Sequence, residues 1–332
     1  MSGRDGIAAA ARPVTVLGAG GTIAIRGEHA TPGLDAAGLV AAVPQLAACT
    51  GLEAVSIRNL PGAALGLDDA LAVARAAVTA AAGGRGVVVT TGTDTLEELA
   101  VLIDLMHAGD APIVVTGAIR PATAAGADGP ANLLQSVALA GAPAATGLGT
   151  VVLFGGQVHA ARYVRKTDST GPAAFASPQT GPVGYVEEER VAILTRPPRR
   201  ADALDVARLD ARVPVVGTGL GDDGALLRLA VQAGCDGVVV VALGAGHLAP
   251  PVIDAVERAA RRVPVVAACR PERGALLTAT YGFRGCERDL RAAGAIPAGR
   301  LSPAAARITL AAALGAGRSG GSLARVFADA DP

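Results

Sequence analysis

The chain has 332 residues, enough for two domains, and half of them are hydrophobic although only 2% are aromatic and tryptophan is absent. Its core therefore has to be built from Ala, Val, Leu and Ile. Its 29 basic and 29 acidic residues cancel, leaving no electrostatic footprint for nucleic acid or an anionic membrane, and no run of 18 apolar residues could span a bilayer.

Short β-branched runs alternate with Ala- and Leu-rich stretches of helical spacing. Residues 14–17 are the first expected strand, apolar at every position as a strand covered on both faces should be. A helix over 68–82 leads to a strand over 86–90, a helix over 95–107 to a strand over 112–116, and a helix over 132–140 to a strand over 150–154. Residues 187–212 break this rhythm with charges and Pro197-Pro198, and Arg196, Arg199 and Arg200 read as part of a solvated linker. A strand over 213–217 restarts the series, followed by a helix over 225–233, a strand over 237–243, a helix over 251–261 and a strand over 263–268.

The alternation predicts right-handed βαβ units in two doubly wound α/β domains. The larger N-terminal domain is expected over 1–190 and the smaller C-terminal one over 213–332, with a linker over 191–212. Cys49, Cys235, Cys269 and Cys286 are scattered without C-x-x-C spacing, and residues 1–13 lack a basic start followed by an apolar core. Both features fit a cytoplasmic protein with free thiols.

Ligands of such sheets bind beyond the carboxyl ends of the strands, at a switch point. The first strand runs into Gly18-Ala19-Gly20-Gly21-Thr22-Ile23-Ala24, a glycine-rich turn that lets backbone approach a ligand and aims amides at negative charge. A dinucleotide fingerprint would need glycine at Ile23 and an acidic residue about 20 positions on, and neither is present. A purely structural turn stays open. The second strand leads to Thr91-Gly92-Thr93-Asp94-Thr95-Leu96-Glu97-Glu98, which also suits a helix N-cap with acids in the first turn.

The third leads to Thr116-Gly117-Ala118-Ile119-Arg120-Pro121 and then Asp128-Gly129-Pro130-Ala131-Asn132-Leu133, which reads as a scaffold loop restarting a helix. The fourth place is Arg165-Lys166-Thr167-Asp168, ahead of Ala174-Phe175-Ala176-Ser177-Pro178. Lys166 is the sole lysine of an Arg-supplied chain. Arginine stays protonated, whereas a partly buried lysine can turn neutral and accept a proton.

Together these segments resemble the bacterial L-asparaginase/glutaminase family. Its signatures are T-G-G-T-I-A, H-G-T-D-T-x-E-E, T-G-A-M-R-P with a downstream D-G-P-x-N-L, and a lysine before x-F-x-S-P. The run from Tyr281 to Leu290 resembles the family's C-terminal domain, so the likeness spans nearly the whole chain. It implies an amidohydrolase without metal or cofactor, with Thr22 as nucleophile and Thr93 as second catalytic threonine in a triad with Asp94 and Lys166. It also implies that Gly21, Gly62, Gly92, Asp94 and Ala118 meet the small amide substrate, that His247 reaches a neighbouring chain's site, and that the assembly is a homotetramer of intimate dimers. A threonine hydroxyl is a poor nucleophile until a base takes its proton. Neutral Lys166, oriented by Asp94, would serve Thr93 while turn amides hold the oxyanion; Asp94 would alternatively bind the substrate's α-ammonium.

Four positions depart from the pattern. The loop after Thr22 is short and carries no tyrosine, none occurring before Tyr163, so that only His29 or Glu28 offers a polar substitute. Gly62 stands where a serine hydroxyl would meet the substrate carboxylate, Thr91 replaces a histidine, and Gly244-Ala245-Gly246-His247 replaces Gly-x-Gly-Asn. Each lost hydrogen bond to a charged group costs on the order of 1.5–3 kcal/mol. The leading expectation is hydrolysis of L-asparagine to L-aspartate and ammonia. The alternatives are an amidohydrolase for a different amide, an asparaginyl peptide or a specialised metabolite, and a catalytically weak binder of acidic amino acids.

Overall fold

The first unit, Met1–Ala203, runs β1 (Val14–Gly20), β2 (Ile25–Arg26), β3 (Thr31–Pro32), α1 (Ala36–Ala41), β4 (Leu52–Leu60), α2 (Leu67–Ala82), β5 (Gly86–Thr90), α3 (Leu96–Met106), β6 (Ile113–Thr116), α4 (Gly129–Gly141), β7 (Thr150–Phe154), β8 (Gln157–Ala160), β9 (Arg165–Lys166), β10 (Phe175–Ala176), β11 (Gly184–Glu187) and β12 (Arg190–Ile193). The structure, a computed structural model, describes residues 12–26, 31–188, 190–200 and 202–328. The valine-rich runs β1, β5, β6 and β7 are buried at every position because helices cover both sides of the sheet. α2 shows how: Ala70, Leu71, Val73, Ala74, Ala77 and Ala81 form its buried stripe, and Asp68 and Asp69 face the positive end of its dipole.

The sheet order is β12-β11-β8-β7-β6-β5-β1-β4. β4, β1, β5, β6 and β7 are parallel, and β8, β11 and β12 extend the sheet antiparallel. From β1 the chain passes first to β4 on one side and then to β5 on the other, so the switch point lies at the carboxyl ends of β1 and β5. The sidedness of the helices corrects one expectation. α4 packs with Leu39 of α1 on one face of the sheet, whereas α2 and α3 lie together on the other. The β5–α3–β6 and β6–α4–β7 crossings step in the same direction over opposite faces, so the α4 crossing has the opposite hand to the α3 crossing, and the right-handed rule fails there. The loop after β6 makes this possible by carrying the chain across to where Gly129 seats against Ile23 and Ala118.

The second unit, Leu204–Pro332, contains β13 (Val215–Gly217), α5 (Ala225–Gln232), β14 (Val238–Ala242), α6 (Pro250–Ala260), β15 (Val265–Cys269), α7 (Glu287–Ala292), β16 (Ile296–Pro297), α8 (Pro303–Gly315) and α9 (Gly320–Ala328). Its four strands form a parallel sheet in chain order, with Val238, Val239 and Val240 of β14 and Val265 and Val266 of β15 buried under α6 and α8. Among the described residues no helix is long and apolar enough to cross a membrane. None of the four cysteines is in a disulfide.

The division between the units, at Ala203/Leu204, falls inside the stretch 191–212 expected as a linker, but parts of that stretch are bonded into the fold. Arg190–Ile193 is the outer strand of the first sheet. Arg196 donates to the carbonyls of Thr146 and Ala144 at 2.8 and 2.6 Å, and Arg199 pairs with Asp110 at 3.4 Å. Further on, Leu204, Val206 and Leu209 are buried, so apolar anchors spaced among the charges hold this stretch down. β4 also went unforeseen because its residues are exposed or only partly buried, which disguises a strand that is parallel to β1 at the sheet edge.

Helix–sheet closeness is set by small residues, as Gly86 shows: a Cβ there would lie 2.1 Å from the Ala140 carbonyl oxygen of α4. Gly86→Ala should lower stability by about 1–3 kcal/mol in urea unfolding. Gly217→Ala, where a Cβ meets nothing within 4 Å, should shift it by less than about 0.5 kcal/mol.

Candidate active site

The loops leaving β1, β4 and β5 meet at three glycines. A Cβ on Gly21 would lie 2.3 Å from the Gly92 nitrogen, and one on Gly92 would lie 2.4 Å from the Gly62 Cα. Gly21 also sits at φ 85°, which side chains rarely adopt. Its amide donates to the Leu60 carbonyl at 2.9 Å, so this turn amide is committed to the fold and does not serve the oxyanion as expected. Thr22 follows Gly21 and Thr93 follows Gly92, so both threonines leave from one backbone contact. Thr95 stands at the N-cap of α3, but its hydroxyl donates to the Gly62 carbonyl at 3.0 Å in place of capping the helix. The capping reading of this motif gives way to a tie between two loops.

Thr93 is buried, and its Oγ1 accepts from Lys166 Nζ at 2.9 Å. The same Nζ lies 3.2 Å from Asp94 Oδ1, with the Asp94 side chain 62% exposed and that of Lys166 20%. A hydroxyl, an amine and a carboxylate in line make a proton path, since 2.9 Å serves transfer in either direction. Lys166 is carried by β9, which pairs with β10 in a two-stranded ribbon separate from the main sheet. Three contacts pin that ribbon. The Lys166 amide donates to Glu97 Oε2 at 2.6 Å; Ser177 lies 3.1 Å from the buried His159 Nδ1; and the Phe175 ring packs on Phe154 at 4.8 Å. Burial raises the Glu97 carboxyl above the usual range against the pull of the Lys166 amide, and burial lowers His159 to about 4. Sequence reasoning passed over Glu97 and His159; the only signal for Glu97 was its place in the signature after Asp94.

The loop after β6 is the scaffold it was read to be. Asp128 accepts from the amides of Ile119 and Arg120 at 3.0 and 2.8 Å, and Asn132 bridges the Gly117 carbonyl and the Gly155 amide at 3.0 and 3.1 Å. Ala118 is fully buried with its methyl turned toward Gly129, which leaves only its backbone for a ligand. Gly62 is likewise buried beneath Gly92. His29 and Glu28 lie outside the described residues.

In the second unit His247 packs edge-on to Tyr281 and Phe283, with ring centroids 4.8 and 5.0 Å away, and its Nε2 lies 3.7 Å from Glu287. Burial would raise the Glu287 carboxyl, but the amides of Tyr281, Glu287 and Thr280 and the nearby His247 hold it below the usual range. Among the described residues no group of three His, Cys, Asp or Glu side chains could hold a metal ion.

Residues 13–199 match the family model of the asparaginase N-terminal domain, and residues 212–327 that of the glutaminase/asparaginase C-terminal domain. A protein of Deinococcus radiodurans named probable L-asparaginase is 35% identical over 328 residues, 95% of this chain and 96% of that one. A Haemophilus influenzae protein named probable periplasmic L-asparaginase is 31% identical over 313 residues, 91% of this chain and 88% of the other. The crystal structure of a probable cytoplasmic L-asparaginase from Campylobacter jejuni superposes with a TM-score of 0.85 at 29% identity, over 96% of this chain and 99% of that one.

The buried His159 predicts an acid sensitivity. Its folded value of about 4 lies below the unfolded 6.5, so the unfolded chain binds the proton first. Stability should fall as pH drops from 6.5 toward 4, by roughly 3 kcal/mol in full. Urea unfolding of His159→Gln across that window should show a shallower slope, the remainder arising in part from His107, which burial also lowers. An unchanged slope would show that His159 does not titrate this way.

Proposed function

The chain belongs to the asparaginase family, and we propose that it hydrolyses the side-chain amide of L-asparagine to L-aspartate and ammonia through a threonine ester. It is an amidohydrolase. The observation that carries the mechanism is the contact of Lys166 Nζ with Thr93 Oγ1, set beside the Gly21–Gly92 contact from which Thr22 also leaves. Thr22 Oγ1 attacks the amide carbon, and its proton ends on the departing nitrogen as the C–N bond breaks and ammonia leaves. Thr93, relayed to Lys166, then takes a proton from water as it attacks the ester carbon, and that proton passes to Thr22 Oγ1 as the ester bond breaks, freeing the acid and the Thr22 hydroxyl. Asp94 orients the Lys166 amine, or holds the substrate's α-ammonium with its exposed carboxylate.

Gly62 favours a second substrate class. It offers no hydroxyl for a free α-carboxylate, so an asparaginyl peptide, whose α-carboxyl is already an amide, loses nothing there.

The reading extends to location and assembly. A cytoplasmic place is supported by the name of the Campylobacter neighbour and by four scattered cysteines with no disulfide among them, although the Haemophilus relative is named periplasmic. A homotetramer is supported by exposed apolar side chains on the second unit, Val215, Leu220, Leu226 and Leu229, which a further copy would cover.

Ammonia release from L-asparagine, L-glutamine and an asparaginyl peptide tests the function. Wild type should release it from at least one, and Thr22→Ala, Thr93→Ala and Lys166→Ala should each lose roughly a thousandfold or more in kcat. Silence of the wild type on all three amides would refute the activity, and full turnover by Thr22→Ala would refute the nucleophile.

A further inference from the structure

We propose that Glu97 is a positioning residue for this reaction: its carboxylate, gripping the Lys166 amide at 2.6 Å, fixes the β9–β10 ribbon so that the Lys166 amine meets Thr93. The inference rests on the amide-hydrolase reading above but on a different contact. β9 and β10 contribute two residues each and, among the described residues, join no other strand, and an isolated ribbon that short does not hold its own geometry. Ser177 and Phe175 anchor β10; the hydrogen bond that the Lys166 amide donates to Glu97 is what grips β9 at Lys166 itself.

Glu97 stands in the first turn of α3, three residues past Asp94. One helix start therefore carries the residues that receive the lysine and the residue that sets its backbone. A displacement of about 1 Å at such a contact lowers turnover on the order of a hundredfold.

Amide nitrogens bind a carboxylate more tightly than a neutral acceptor. That grip is kept against a burial that raises the Glu97 carboxyl, with Arg165 and Lys166 of β9 facing it favourably and Glu98 of its own helix opposing it. A raised carboxyl stabilises the fold below its unfolded value, and the contribution is lost as pH rises through the folded one. Above that folded value charged Glu97 adds no such stability, and there Glu97→Gln should fold at least as well as wild type. A merely structural role predicts the reverse pairing, lower stability with unchanged kcat.

Two measurements test this. On L-asparagine, Glu97→Gln should lower kcat about tenfold at neutral pH with KM within about twofold and no loss in urea midpoint, and Glu97→Ala should lower kcat further. The Gln variant should lose the acid-side fall of kcat that follows protonation of Glu97. Independently of turnover, Lys166 is the only lysine, so its acetylation by acetic anhydride, read by mass spectrometry against the N-terminal amine, reports the ribbon directly. Labelling should quicken several-fold in both variants. Unchanged labelling with wild-type kcat, or a kcat loss that only follows unfolding, overturns the proposal. A wild type silent on every amide overturns the amide-hydrolase reading instead, and the labelling rate still decides the role of Glu97.

Discussion

The site depends on backbone packed directly against backbone where Gly21, Gly92 and Gly62 meet. Three loops from three adjacent strands converge there, and a Cβ on Gly21 or Gly92 would lie within 2.4 Å of neighbouring backbone. Sheet geometry alone would leave neighbouring strands about 4.8 Å apart with their loops splayed by the twist. The glycines remove that splay, and the residue after each of the first two is a threonine. The Thr95 hydroxyl on the Gly62 carbonyl and the Gly21 amide on the Leu60 carbonyl then tie the third loop to the other two.

Around this contact each polar group has one of two duties. Asp128, Asn132 and Glu97 spend their side chains on backbone amides and carbonyls of neighbouring loops, which satisfies buried groups and leaves the loops with one conformation. Thr93, Lys166 and Asp94 spend theirs on one another. The Lys166–Asp94 pair is too exposed to contribute much to stability, since Asp94 is largely in solvent. What the pair supplies is direction: a carboxylate on one side of the amine leaves its remaining bonding capacity for Thr93. Backbone placement and proton transfer are thus held by different residues within a few positions of each other, as Glu97 and Asp94 illustrate on one helix start.

The two-domain α/β plan was legible because fully buried parallel strands write themselves as unbroken Val runs, and 86–90 and 150–154 were placed to the residue. Thr93, Asp94 and Lys166 were legible as types in a signature, and the single lysine stood out in a chain otherwise supplied with arginine. The hand of the α4 crossing was not, because it depends on where Gly129 finds room rather than on any local pattern. β11 and β12 were missed since their charged residues mask a sheet edge, and the Arg196 bonds were missed since a guanidinium on a carbonyl leaves no periodic trace. Glu97 read as an ordinary first-turn acid; only the folded chain brings the backbone of residue 166 to a side chain 69 positions earlier.

The glycine contact also bears on the substrate. A serine at position 62 would put its Cβ 3.0 Å from the Gly92 Cα and 3.1 Å from its carbonyl carbon, closer than side chains ordinarily sit to backbone. The hydroxyl expected there and the present closeness of the loops exclude each other unless Gly92 gives way by a few tenths of an ångström. Moving Gly92 moves Thr93 against Lys166. The absence of the serine is therefore coupled to the packing that sets the proton path, and restoring the hydroxyl alone would not restore a carboxylate clamp without disturbing the threonine it is meant to serve.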